Sequence, residues 1–211
     1  MSLKKINIAV AGATGYVGLD LIYLLSKHPK SKIISLCAQK NLGKNIQFFD
    51  NRIKKRLPQI TNLKNVNWKN IDLLFLSLPN GKAQKIVKQL SSFKHLRFID
   101  LSADFRIEDK KIYKNWYKIN HNAPQLIKST IYSISEFVKK KIRNYKIISN
   151  PGCYPTSIQL ALIPLIKKKL IKLDKIIIDS KSGYSGAGKD YNKKFKHKNI
   201  EKNVHAYGIK I

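Results

Sequence analysis

The stretch Ser149-Asn150-Pro151-Gly152-Cys153-Tyr154-Pro155-Thr156 sets a cysteine at the mouth of a helix. Tyr145-Lys146-Ile147-Ile148-Ser149 leads into this turn as a β-rich run, and Ile158, Leu160, Ala161, Leu162 and Leu165 leave it with helical spacing. Cys153 therefore stands where unsatisfied backbone N–H groups and the positive end of the helix dipole favour an anion. Thiolate is the reactive form of cysteine, so the position suits a catalytic nucleophile. A lone cysteine is also commonly a small apolar core residue, and the turn alone leaves both readings open.

A second piece of chemistry lies at the N-terminus. Lys5-Ile6-Asn7-Ile8-Ala9-Val10-Ala11 reads as a buried strand, and Gly12-Ala13-Thr14-Gly15-Tyr16-Val17-Gly18 opens an amphipathic helix that runs through Leu25. Strand, glycine turn and helix in that order are the context of a dinucleotide fingerprint, here in a GxxGxxG spacing. Gly12 permits the tight turn, Gly15 lets the backbone approach a pyrophosphate, and Gly18 lets the helix pack on the strand, with the helix N-terminus facing the phosphates. The bland alternative is a plain strand-to-helix turn. The next strand, Lys32 to Cys37, ends without the Asp or Glu that holds a ribose diol in NAD-preferring proteins. Ala38, Gln39, Lys40 and Lys44 stand there instead, which favours the 2′-phosphate of NADP, although surface lysines are abundant enough to occur there by chance. Cys37 reads as core.

These groups need a scaffold, and the pattern between them supplies one. Residues 41–70 are polar and irregular, with one short strand expected near Val66. Ile71 to Leu78 is a continuous apolar run of the buried parallel-strand type. It ends in Pro79-Asn80-Gly81 before a helix to about Leu90, and a further strand, Leu96 to Leu101, leads to Ser102-Ala103-Asp104-Phe105-Arg106. Alternating strands and helices specify an α/β fold with a doubly wound parallel sheet, whose ligands lie outside the carboxyl ends of the strands. Pro79-Asn80 and Arg106 occupy such ends. Arg106 is the candidate for a carboxylate or phosphate, with a salt bridge to Asp104 as its structural alternative. Residues 108–144 mix short helical pieces with loops and include His121, for which a structural and a site role are equally open. After the cysteine helix, Lys175 to Ser180 is expected as a strand running into the small-residue loop Lys181-Ser182-Gly183-Tyr184-Ser185-Gly186-Ala187-Gly188-Lys189, which can nest an anion or be a flexible linker.

Composition narrows the class. The chain has 211 residues, 42 of them Lys or Arg, and a net charge of +30. Only five are arginine (Arg52, Arg56, Arg97, Arg106, Arg143), the residue favoured for bidentate phosphate and base recognition, and the lysines are spread over every element. Specific nucleic-acid binding is therefore not expected, and steering of anionic ligands is the better use of the charge. Two separated cysteines and an N-terminus without a signal-peptide pattern fit a reducing cytoplasm. No apolar run approaches the roughly 20 residues of a membrane span, and no metal-ligand spacing is present.

Taken together, Gly12 to Gly18, Leu78-Pro79-Asn80-Gly81, Asp100-Leu101-Ser102-Ala103-Asp104-Phe105-Arg106, Asn150 to Thr156 and Ser182 to Gly188 give a chain that resembles the N-acetyl-gamma-glutamyl-phosphate reductases of the semialdehyde dehydrogenase group. The resemblance implies NADP-dependent reduction of an acyl phosphate in arginine biosynthesis. A Cys153 thiolate would expel phosphate to form a thioester, which hydride then reduces to the semialdehyde. It implies cofactor contacts at Gly12, Thr14, Gly15, Tyr16, Val17, Gly18, Lys40, Pro79, Ser182 and Gly183, and substrate contacts at Arg106, Asn150 and Ser185. It also implies a cofactor domain over residues 1–150, the start of an α+β catalytic and dimerisation domain over 151–211, a homo-oligomer, and partners limited to the acyl phosphate and inorganic phosphate. The sibling reductase acting on an amino-adipyl phosphate differs by one methylene, worth only about 1–3 kcal/mol, and a catalytically impaired NADP-binding remnant is a further alternative. Family members continue past the position of Tyr207-Gly208 into a histidine-rich segment with the general acid/base. On that reading the second domain is truncated, the acid/base lies beyond Ile211, and the chain is a fragment, a frame-shifted product or a decaying gene.

Overall fold

In the computed structural model, residues 4–183 and Gly186 are described. Among these residues seven strands form one sheet in the order β3-β2-β1-β4-β5-β7-β6, every pairing parallel. They are β1 (Ile6–Ala11), β2 (Ser31–Cys37), β3 (Ile60–Thr61), β4 (Leu73–Leu76), β5 (Arg97–Asp100), β6 (Thr130–Tyr132) and β7 (Ile147–Ser149). Among the described residues four α-helices accompany them: α1 (Tyr16–Lys27), α2 (Ala83–Leu90), α3 (Lys110–Tyr117) and α4 (Cys153–Lys167).

Side chains alternate across a strand, and here each face has its own core. On one face Ala9, Ala11, Leu74, Leu76, Phe98 and Ile147 pack with Ala83, Val87 and Leu90 of α2. On the other, Ile8, Val10, Ile33, Leu36 and Phe75 pack with Leu19 and Ile22 of α1. Burial on both faces is why the strands read as apolar runs rather than as alternation. The strand order reverses at β1, between β2 and β4, and this switch point opens a crevice at the carboxyl ends.

Several expectations are corrected. The short strand lies at Ile60–Thr61 and not near Val66. Around Val66 the side chains of Asn62 and Asn67 accept the N–H groups of Lys64 and Lys69, which holds the chain in two 3-10 turns. The run from Ile71 to Leu78 is a strand only over Leu73–Leu76, since Ile71 closes the preceding turn onto Trp68. β6 was not anticipated; three residues carry no readable period. Lys175 to Ser180 forms no strand. A strand needs a neighbour to take its backbone bonds, no described segment runs beside it, and Ile177 is 93% exposed.

α4 also departs from a globular helix. None of its residues is buried, and Pro164 lies inside it. Among the described residues, no helix is long and apolar enough to cross a membrane.

Candidate functional site

The glycine turn sits where β1 meets the end of β4. Gly12 has φ +83, and a Cβ there would lie 1.9 Å from Ser77 O, so only glycine fits. A Cβ on Gly18 would lie 2.2 Å from Gly12 O, whereas one on Gly15 would meet the same oxygen at 3.4 Å, an ordinary contact. Gly12 and Gly18 are thus required by the fold itself, while Gly15 leaves room at the start of α1. That helix begins with no side-chain cap and no acidic residue in its first turn. The positive end of its dipole favours an anionic ligand. The turn is tied to β2 by Gly12 N and Ala13 N, which donate to Cys37 O at 2.9 and 3.0 Å. Cys37 is buried, and burial pushes its thiol pKa up. Tyr16 and Val17 are exposed beside the turn, Thr14 is half-buried, and Lys40 is exposed beyond β2.

The end of β4 is stitched to the end of β5. Asp104 is fully buried; its Oδ1 accepts from Gly81 N at 2.6 Å and from Tyr113 Oη at 3.0 Å, and its Oδ2 accepts from Gln84 N at 3.0 Å. The carboxylate caps the start of α2 and so is not the partner of Arg106, which corrects the salt-bridge alternative. Ala103 N donates to Asn80 Oδ1 at 3.4 Å, joining the same two loops next to the exposed Pro79. His121 is structural: Nε2 donates to Asp104 O at 2.8 Å while Nδ1 accepts from Ala123 N at 3.1 Å. That pattern belongs to the neutral ring, and burial lowers its pKa.

Arg106 bridges β5 and β7 at their carboxyl ends. Nε donates to Asn150 O and Nη2 to Leu101 O, each at 3.0 Å. Nη1 makes no hydrogen bond among the described residues and lies against Gly152, where a Cβ would stand 3.0 Å from it. Gly152 is the N-cap of α4, and Cys153 is its exposed first residue. Asn150 holds the turn from inside: its N donates to Asp100 O at 2.8 Å and its Nδ2 to Pro151 O at 3.0 Å. A free guanidinium edge, a helix N-terminus and an exposed thiol therefore converge on one turn.

The sites named from sequence fall into two groups on the same sheet edge. The first is the glycine turn with the β4 loop, and the second is Arg106, Asn150 and Cys153. Lys40 stands apart beyond β2. Ser182 and Gly183 are exposed, with Ser182 Oγ donating to Gly183 O, and no hydrogen bond joins them to either group. Ser185 lies outside the described residues. Sequence reasoning missed Asp104 as the link between loops and Asp100 beneath them; an acid at the very end of an apolar strand was the available signal for the latter.

The family model described as "Semialdehyde dehydrogenase, NAD binding domain" matches residues 7–145, and that described as "Semialdehyde dehydrogenase, dimerisation domain" matches residues 153–211. The chain belongs to the semialdehyde dehydrogenase family. Its first part is accordingly a nicotinamide-dinucleotide-binding domain of the Rossmann type. A protein of Oryza sativa subsp. japonica named probable N-acetyl-gamma-glutamyl-phosphate reductase, chloroplastic, is 43% identical over 98% of this chain and 50% of its own length. An N-acetyl-gamma-glutamyl-phosphate reductase of Rhodospirillum rubrum is 40% identical over 98% of this chain and 60% of its own. The chain thus spans about half to three-fifths of the length of these relatives. Among solved structures, aspartate semialdehyde dehydrogenase II of Vibrio cholerae, complexed with ASA, superposes with a TM-score of 0.56 at 20% identity, covering 78% of this chain and 47% of that one. The Candida albicans aspartate semialdehyde dehydrogenase with NADP gives 0.54 at 21%, covering 78% and 48%. At such identities the family's fold is what these two share with the chain.

Proposed function

We propose that the chain serves the NADP-dependent reduction of N-acetyl-glutamyl 5-phosphate to the 5-semialdehyde; its curated relatives are named N-acetyl-gamma-glutamyl-phosphate reductase. The observation that carries this reading is the free edge of Arg106 lying against the turn that presents Cys153 at a helix N-terminus. In this reading residues 1–150 hold the cofactor and residues 151–211 belong to the catalytic and dimerisation part of a homo-oligomer in the cytoplasm.

The dinucleotide fits the glycine turn: Gly15 leaves the approach open, and α1 starts without a side-chain cap or acid. Gly12, Thr14, Gly15, Tyr16, Val17, Gly18 and Pro79 would hold it, and Lys40 would meet a 2′-phosphate where no carboxylate competes. When bound, the nicotinamide supplies the hydride. Arg106 Nη1 orients the acyl phosphate by an anionic group, with Asn150 keeping the turn in place. The Cys153 thiolate attacks the acyl carbon; the C–O bond to phosphate breaks, phosphate leaves with the electron pair, and a thioester remains on Sγ. The N–H groups at the start of α4 face the developing oxyanion. Ser182, Gly183 and Ser185 are assigned to cofactor and substrate by the family pattern.

The test is to mix the 211-residue chain with N-acetyl-glutamyl phosphate and follow intact mass, phosphate release and NADPH oxidation. An N-acetyl-glutamyl adduct on Cys153, absent in Cys153→Ser, is the expected result. Absence of the adduct in the unaltered chain, or an equal yield in the serine variant, would overturn the reading.

A further inference from the structure

Arg106 rests on the carbonyls of Leu101 and Asn150. Each of these residues follows a fully buried polar one, Asp100 on β5 and Ser149 on β7, and the two are register partners on adjacent parallel strands. Asp100 Oδ1 accepts from Ser102 N at 2.9 Å. Asp100 Oδ2 and Ser149 Oγ, by contrast, have no hydrogen-bond partner among the described residues. An orphaned buried carboxylate oxygen is costly unless its charge is used or neutralised.

The surroundings of Asp100 are few. Its own loop contributes Ser102, Asp104 and Arg106; β7 contributes the neutral Ser149 and β4 the apolar Leu76 at the paired position. No ion pair joins Asp100 to Arg106 among the described residues, so the guanidinium acts on it through space. Burial raises the Asp100 pKa most and Asp104 raises it further. The Ser102 hydrogen bonds and Arg106 oppose this, and the result is about 6.

We propose that Asp100 is a positioning residue for the anion subsite of Arg106: buried one residue before the Leu101 carbonyl that holds the guanidinium, it sets by its own charge how tightly Arg106 holds an oxyanion. The proposal rests on the reading that Arg106 binds the substrate's anionic group. When Asp100 is ionised, its field partly cancels that of Arg106 at Nη1, so an anion at the Gly152 turn is held less firmly. When it is protonated, the full guanidinium charge faces the turn. This carboxylate thereby keeps an expelled phosphate from being trapped once the thioester has formed, which is the use of an otherwise expensive orphan.

Sulfate is the probe, because it does not titrate between about pH 5 and 8 and stands in for the phosphate dianion. A chain of net charge +30 will bind sulfate at many places. The readout must therefore be local: the factor by which sulfate slows iodoacetamide labelling of Cys153, taken as a ratio at each pH to remove the thiol's own titration. In the unaltered chain the sulfate Kd should weaken about fivefold to tenfold from pH 5 to 8, with a midpoint near 6. That size corresponds to the unit charge of Asp100 roughly 10 Å from a dianion at an effective dielectric of about 50 to 70. Asp100→Asn should keep the pH 5 affinity throughout, and Arg106→Gln should lose the protection. A flat profile in the unaltered chain, which needs no variant to measure, or an Asp100→Asn profile that follows it, overturns the proposal. Protection that survives Arg106→Gln, or none at any pH, instead overturns the assignment of the anion to Arg106 and the proposal with it.

Discussion

Gly18→Ala separates a glycine that the fold needs from one that the ligand needs. Gly18 is the third residue of α1, and in a helix interior alanine would gain about 1 kcal/mol over glycine. Here its Cβ would stand 2.2 Å from Gly12 O, 3.1 Å from Gly12 C and 3.2 Å from Ala13 C. All three are backbone atoms, so no flexible side chain can yield, and the helix start must move off the turn by about 1 Å. Overpacking costs about 1–3 kcal/mol, and a clash with three backbone atoms puts this case at about 2–3 kcal/mol, which exceeds the propensity gain. A net loss of about 1–2 kcal/mol corresponds to a Tm lower by roughly 2–8 °C in a chain of this size. On the proposed function NADPH affinity should fall at least tenfold, because the displaced N–H groups would be those facing the pyrophosphate. Gly15→Ala is the control: its Cβ meets Gly12 O at 3.4 Å, so Tm should change little, while affinity still falls through contact with the ligand. Thermal melts and NADPH fluorescence titrations of both variants decide the matter. Unchanged affinity in Gly18→Ala, or equal destabilisation by the two substitutions, would refute the reasoning.

Cys153 is exposed at a helix start, whereas Cys37 is buried with its pKa raised. Iodoacetamide at neutral pH should therefore label Cys153 far faster in peptide mapping, and equal slow labelling would count against Cys153 as an accessible nucleophile. The buried Asp100 also makes stability pH-dependent. Its folded pKa, about 6, lies above the ordinary carboxylate value of 3.8, so the folded state binds the proton more tightly, and stability is lost as pH rises from about 4 to 6. The shift is worth roughly 3 kcal/mol. Urea unfolding at several pH values should show the unaltered chain losing stability relative to Asp100→Asn over that window, and a pH-independent difference would refute the assignment.

The sequence conveyed the sheet through its apolar runs, because strands buried on both faces must be continuously hydrophobic. It conveyed both chemical turns because a helix N-terminus and a tight glycine turn are local events written within eight residues. It misled where pairing decides the outcome. Lys175 to Ser180 has strand composition but no described neighbour, and β6 is a strand only because β7 lies beside it. The Asn side chains at 62 and 67 won the connection before β4 by hydrogen-bonding locally, a competition that hydrophobic pattern does not register.

The candidate nucleophile, the glycine turn and Arg106 were thus legible as residue types in a local context. What Arg106 does with its donors was not. Its spacing from Asp104 allowed an ion pair, yet the tertiary structure gives that carboxylate to Gly81, Gln84 and Tyr113, since the start of α2 needs a cap. Arg106 is thereby left to span two strand ends and lay one edge against Gly152, the residue before Cys153. Local sequence determined which groups are present and which backbone they ride on. Only the packing of β4, β5 and β7 side by side decided their partners, because residues far apart in the chain compete there for the same few donors and acceptors.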